Sequence, residues 1–203
     1  MKFNLSKITA IALMLAGSGT LSAAPKPIAK FVVNPQQTVL TWNAKKVTGE
    51  HSGVVPVTGG TIDLANGAVK GGNFSINLSN LQVTDIKDAG TNAKLVGHLK
   101  SDDFFGTAKH PNANFVLTGI TPGKQAGSYT VKGNLTIKGI TKPIEFPAAI
   151  LVSGNTLKAS ADILVDRTQY DIRYGSKSFF ESIGDKAIYD EFTLNLQLVA
   201  TQQ

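Results

Sequence analysis

Apolar and polar residues alternate along much of this chain with a period of two. Phe192, Leu194, Leu196 and Leu198 interleave with Thr193, Asn195 and Gln197. Successive side chains on a strand point to opposite faces, so this pattern predicts a half-buried strand near the C-terminus. A slip of one residue would invert every position. Phe74, Ile76 and Leu78 alternate in the same way with Ser75 and Asn77, and Tyr129, Val131, Gly133, Leu135 and Ile137 form another ladder. Ala159, Ala161, Ile163 and Val165 alternate with Ser160, Asp162 and Leu164. Ala65-Asn66-Gly67, Pro122-Gly123 and Ser153-Gly154-Asn155 separate these runs as turns. The spacing gives about eight to nine strands, which predicts an all-β antiparallel barrel or sandwich. The runs Val131–Ile137 and Thr156–Val165 would rise ~20 to 35 Å at ~3.3 Å per residue. Closed into an eight-stranded barrel, strands of that length leave room for one elongated ligand.

One short helix is predicted, between Asn92 and Lys100. Asn92 is its expected cap, Leu95, Val96 and Leu99 share one face, and Lys94 and His98 share another. Amid antiparallel strands such a helix plugs an end of the barrel or packs against it.

The N-terminal stretch has a different texture. Lys2 and Lys7 precede and flank an apolar run from Ile8 to Ala16, and Ser22-Ala23-Ala24 supplies small residues for cleavage. This reads as a secretory signal peptide over residues 1–23, cut after Ser22 or Ala23, with export to the periplasm or medium as the expectation. No cysteine follows the apolar run, which excludes lipid attachment there. Residues 24–203 are about 180 residues, one domain's worth. Removing Lys2 and Lys7 lowers the formal net charge from +6 to +4, dispersed without a run of like charges. That excludes the basic stripe that nucleic-acid binding needs. The chain has no cysteine, which removes thiol redox chemistry and thiolate metal sites.

Candidate chemistry is sparse. His51, His98 and His110 show no metal-ligand spacing, so no metal is expected. Asp102 and Asp103 are adjacent, which suits capping or a turn rather than two carboxylates facing across a substrate. There is no G-x-S-x-G, and Gly59-Gly60 and Gly71-Gly72 are hairpin or bulge glycines rather than a phosphate cradle. No cofactor is implied. Trp42, Phe104, Phe105, Phe115, Phe146, Phe179 and Phe180 form the aromatic set, either core or the wall of a ligand tube. The pairs Phe104-Phe105 and Phe179-Phe180 sit in irregular segments, which border barrel mouths, and are the expected gate. Arg167, Tyr170 and Arg173 can meet a polar headgroup, or else face solvent or a neighbouring acid.

Four segments together resemble the YceI-like family of exported, lipocalin-like barrels that bind polyisoprenoids. They are WNAKKVTGEHSG, LKSDDFF followed by HPNANF, GNLTIKGITKPI, and DRTQYDIRYGS before the final alternating strand. Gly106 stands where members often carry an acid, and Asp171 where a glycine often follows the aromatic. The resemblance implies an eight-stranded lipocalin-like barrel and a carrier or sequestering protein rather than an enzyme. Its ligand would be a long-chain isoprenoid or fatty-acid-like lipid, and a homodimer would be in keeping. His51, inside TGEHSG, then makes a structural hydrogen bond or a headgroup contact. The competing reading is an envelope structural or stress-related interaction module whose barrel is simply filled.

Overall fold

The computed structural model describes residues 28–180 and 184–203, so the expected signal peptide lies outside the described residues. Eleven strands follow one another: β1 Ala29–Val33, β2 Val39–Lys46, β3 Gly49–Val54, β4 Val57–Ala65, β5 Ala68–Asn77, β6 Gln82–Val83, β7 Asn112–Pro122, β8 Ser128–Ile137, β9 Ile140–Ser153, β10 Thr156–Asp166 and β11 Ile188–Gln202. The helix α1 spans Ala89–Lys100, between β6 and β7. Tight turns fix the hairpin registers. Asn66-Gly67 joins β4 to β5 and Lys138-Gly139 joins β8 to β9, all four residues at positive φ between 52° and 76°. That conformation matches the twist of a two-residue hairpin, and Asn and Gly tolerate it best.

Eight strands close the barrel as an antiparallel ring in the order β1, β4, β5, β7, β8, β9, β10, β11, with β11 returning to β1. β11 is long enough to take two partners along one edge. Its end pairs with β1 (Phe31 opposite Gln202) and its beginning with β2 (Leu194 opposite Trp42). β1 and β2 are thus one strand position interrupted at Asn34–Thr38, where Thr38 Oγ1 and Asn34 N bond to Val199. Past the interruption, β3 and β6 extend the wall outward from β2.

The final strand has the register that its alternation predicts. Leu198 is buried, Phe192, Leu194 and Leu196 face inward half-buried, and Asn195 and Gln197 are exposed. The three are less buried than expected because they border hollow space rather than packed core.

The barrel has two unlike ends. The end carrying the β4–β5, β7–β8 and β9–β10 turns is packed on one side by Phe31, Val33, Leu64, Leu157 and Ala200, all nearly inaccessible. The other end is covered by α1 and by the segment after β10. α1 is capped by Asp88, whose carboxylate accepts from Thr91 N at 2.8 Å, not by Asn92 as its sequence suggests. Asn92 lies in the first turn instead and donates its side-chain amide to Val83 O and Ile86 O, tying the helix to the barrel. Leu95, Val96 and Leu99 face the core as predicted.

The wall is split in two places. The β5–β7 ladder stops at Asn73 opposite Val116, leaving residues 68–72 and 117–122 unpaired with each other. The β9–β10 ladder stops at Ser160 opposite Ala149. Pro143 and Pro147 account for the second split. The β8–β9 ladder runs unbroken past both, so their nitrogens face β10, where each removes a bond donor. A short 3-10 turn, Arg167–Tyr170, lies against β9 on that side.

Candidate functional site

Inward-pointing side chains leave two apolar chambers along the barrel axis. The first, of about 110 Å³, lies toward the turn end and is walled by Phe74, Phe115, Ile144, Phe146, Ile163 and Leu196, among others. Phe115 holds the aromatic wall together, with ring centroids 6.1 Å from Phe74 and 5.7 Å from Phe146. The second, of about 80 Å³, lies under α1 and is walled by Trp42, Phe104, Phe105, Ile137, Ile188 and Phe192, among others. Leu40, Ile76, Leu135 and Leu194 border both chambers and form a waist between them. The surface of this tube is hydrocarbon and aromatic; among the described lining residues the side chains with a polar group are Ser160, Arg167, Tyr189 and Trp42, whose indole N–H is already bonded to Gln82. Such a surface offers burial to an apolar chain and little that orients a polar one.

The aromatic positions expected from the sequence separate into three groups. Phe115 and Phe146 line the first chamber. Trp42, Phe104 and Phe105 line the second, where Trp42 Nε1 is satisfied by Gln82 O at 3.1 Å. Phe104 and Phe105 end α1 in a turn that also holds Asp102 and Asp103, whose carboxylates pair with Lys109 and His98. Phe104 is 7% exposed, with His98 and Tyr174 packed on its ring at 4.9 and 5.5 Å, so it is core as well as wall. Phe105 is half-buried. Phe179 and Phe180 stand apart: they are 45% and 50% exposed, border neither chamber, and Arg173 lies over the Phe179 ring.

The polar candidates are mostly occupied. Arg167 is 4% exposed and its fork is spent on backbone carbonyls of Ile172, Tyr174, Ile188 and Tyr189 at 2.8–3.1 Å. Burial lowers its pKa from the ordinary value, and Asp190 and Asp166 work against that. Arg167 therefore ties the segment after β10 to the start of β11, leaving little of its fork for a phosphate. Tyr170 is 2% exposed in the core, and burial, reinforced by Asp166, raises its phenol above the ordinary value. Arg173 pairs with Asp171 at 2.8 Å. Asp171 itself is left-handed, φ 57°, the conformation that a glycine adopts at least cost. His51 Nδ1 meets Asp85 Oδ2 at 2.8 Å while Asp85 Oδ1 accepts from Ser52 N, a brace between β3 and the chain after β6. Burial raises the Asp85 carboxyl, but these bonds outweigh it and hold the group below its ordinary value. Among the described residues no three metal-capable side chains converge.

The sequence reading missed Phe74, Ile144, Ile163 and the waist leucines as lining residues. Phe74 and Ile163 stood in the alternating runs already, so period two was the signal that would have found them.

Comparison with known proteins bears on this geometry. The family model for the YceI-like domain matches residues 31–200. A UPF0312 protein of Pectobacterium carotovorum is 28% identical over 163 residues, 76% of each chain. Protein YceI of Escherichia coli O157:H7 is 32% identical over 95 residues, 47% of this chain and 45% of its own. Among the first relatives the matched stretch spans as little as 29% of the relative's length. The barrel superposes on Burkholderia cenocepacia BcnA with a TM-score of 0.67 at 20% identity, covering 83% of this chain and 99% of that one. A polyisoprenoid binding domain from Saccharophagus degradans, implicated in plant cell wall breakdown, gives 0.61 at 13% identity, covering 85% and 98%. With its fold matched at that level and its sequence matched from β1 to β11, the chain belongs to the YceI-like domain family.

Proposed function

We propose that this barrel holds one long apolar chain, an isoprenoid or a related fatty-acid-like amphiphile, as an exported carrier or sequestering protein and not as a catalyst. The observation that carries this is the tube of two apolar chambers joined at the Leu40, Ile76, Leu135, Leu194 waist. Burying hydrocarbon yields ~0.8 kcal/mol per methylene, so a chain spanning both chambers has a large gross driving force. Association and chain ordering subtract from that sum. The Saccharophagus domain, described as binding polyisoprenoid, lends the ligand class.

The test is organic extraction of protein purified from its native compartment, followed by mass spectrometry. A stoichiometric long-chain lipid is the expected result. Protein that carries none, and takes none up on incubation with polyprenol, would favour a filled structural barrel. Sequencing the N-terminus of the mature protein tests export, with a start at residue 23 or 24 expected. Light scattering on the purified protein tests the homodimer.

A further inference from the structure

We propose that the apolar ligand enters and leaves the barrel sideways, through the split between β5 and β7, over the sill of Gly71 and Gly72. This rests on the lipid-binding reading above and adds the route to it.

The split has a structural cause. Two bulges flank it on opposite outer edges. On the β4–β5 side the register shifts between Asp63 and Leu64, which leaves Lys70 as the extra residue. On the β7–β8 side it shifts between Leu117 and Gly119, which leaves Thr118 extra. A bulge bends its strand and steepens the local twist. The extra residues Lys70 and Thr118 lie three and two residues beyond the last β5–β7 pair, Asn73 opposite Val116. The two strands are thus turned away from each other while each stays paired to its other neighbour.

The split also opens onto the right place. Val69, Gly71 and Gly72 on one side and Leu117 and Ile120 on the other all line the first chamber, and all are half-buried. Gly71 and Gly72 put no side chain across the opening. The alternatives are each obstructed. The Arg167–Tyr170 turn packs against β9 beside the β9–β10 split, and its own Tyr170 and the following Ile172 are buried there. A shallow groove at Ala149, Leu151 and Lys158 shares Ile150, Ala159, Ser160 and Leu198 with the chamber. There the β9, β10 and β11 ladders are continuous, so hydrogen bonds seal the wall. At the helix end, α1 and the segment tied down by Arg167 lie across the way out.

A portal changes rates without changing the bound state, and that separates it from a wall residue. The chain has no cysteine, so Gly71→Cys gives one labelling site. The nearest atom to a β-carbon there is Asp63 Oδ2 at 3.5 Å, an ordinary contact that should leave the fold intact. Gly97→Cys places the same label at the helix end, on the exposed face of α1, where nothing lies within 4 Å of an added β-carbon and neither chamber is bordered. Each variant is coupled to a maleimide polyethylene glycol, and uptake and release of cis-parinaric acid are followed by stopped-flow fluorescence, with circular dichroism reporting the fold. The label at position 71 should slow uptake and release together by about tenfold or more, leaving their ratio near that of the unlabelled protein. The label at 97 should not slow both. Unchanged rates with 71 labelled, or joint slowing only with 97 labelled, would overturn the portal. If the wild type leaves the probe dark, the lipid-binding reading itself falls, and the portal with it.

Discussion

The ring of Phe115 occupies the space in which a β-carbon on Gly133 would stand. The two residues are diagonal neighbours across β7 and β8, since Phe115 pairs with Leu135 and Gly133 with Leu117. The glycine therefore lets Phe115 lie against the barrel wall, between Phe74 and Phe146, instead of filling the lumen. Gly133→Ala should push that ring inward and crowd Val116 O, which is 2.8 Å from the added carbon. We expect a loss of about 1 to 3 kcal/mol in urea unfolding. Lipid loading should drop as well. Full loading at native stability would mean that the ring has another place to go.

Arg167 is expected to act on the fold before it acts on any ligand. Arg167→Ala leaves four backbone carbonyls without their donor and Asp190 without its countercharge, and should cost ~3 to 5 kcal/mol. Denaturant midpoints of the wild type and variant measure this. Native stability with weakened binding of a phosphate-headed lipid, and not of a neutral one, would instead make the guanidinium a headgroup reader.

Phe104 and Phe105 are adjacent but should separate in experiment. Phe104→Ala empties packed core and should cost ~3 to 5 kcal/mol. Phe105 is half-buried at the chamber wall, so Phe105→Ala should cost well under that and lower lipid loading more than the melting temperature. Equal thermal losses for the two would make both plain core.

Chain length is expected to be read at the waist. Leu194 borders both chambers and is only half-buried, so Leu194→Phe can be accommodated while narrowing the passage. A long probe that needs both chambers should weaken by about tenfold, ~1.4 kcal/mol. A short one housed in the first chamber should bind as before. Equal weakening would show that the chambers act as one.

The Asp85 carboxyl is held below its ordinary value of 3.8 in the folded protein. A group depressed on folding contributes stability that is complete above its unfolded pKa and fades as pH falls through its folded one. Asp85→Asn should therefore destabilise the protein at pH 7 and lose that disadvantage progressively below about pH 4. Urea midpoints at pH 7, 5 and 3 read the difference. A gap between wild type and variant that is constant over that range would show the carboxylate's charge to be idle.

Alternation by itself determined the strands, the inward face and an antiparallel all-β class; it left barrel and sandwich open, and the family resemblance pointed to the barrel. Each residue of β8 or β11 has its side fixed by the pleat, so apolar periodicity carries directly to the lumen. Asn66-Gly67 likewise marked its turn, because few residue types tolerate positive φ. The helix was legible but its start was not: Asp88 and Asn92 are both good caps, and Asn92 was claimed instead by Val83 and Ile86. What only the tertiary structure decided are relations between distant residues. In sequence Arg167 could equally meet a headgroup, solvent or a neighbouring acid; Tyr189 and Ile188 on another strand take up its donors instead. Phe179 and Phe180 looked like Phe104 and Phe105, and only the path of the chain set one pair outside and the other under the helix. The splits in the wall arise where bulges and prolines act on neighbouring strands together, and no local pattern records which strands those neighbours are.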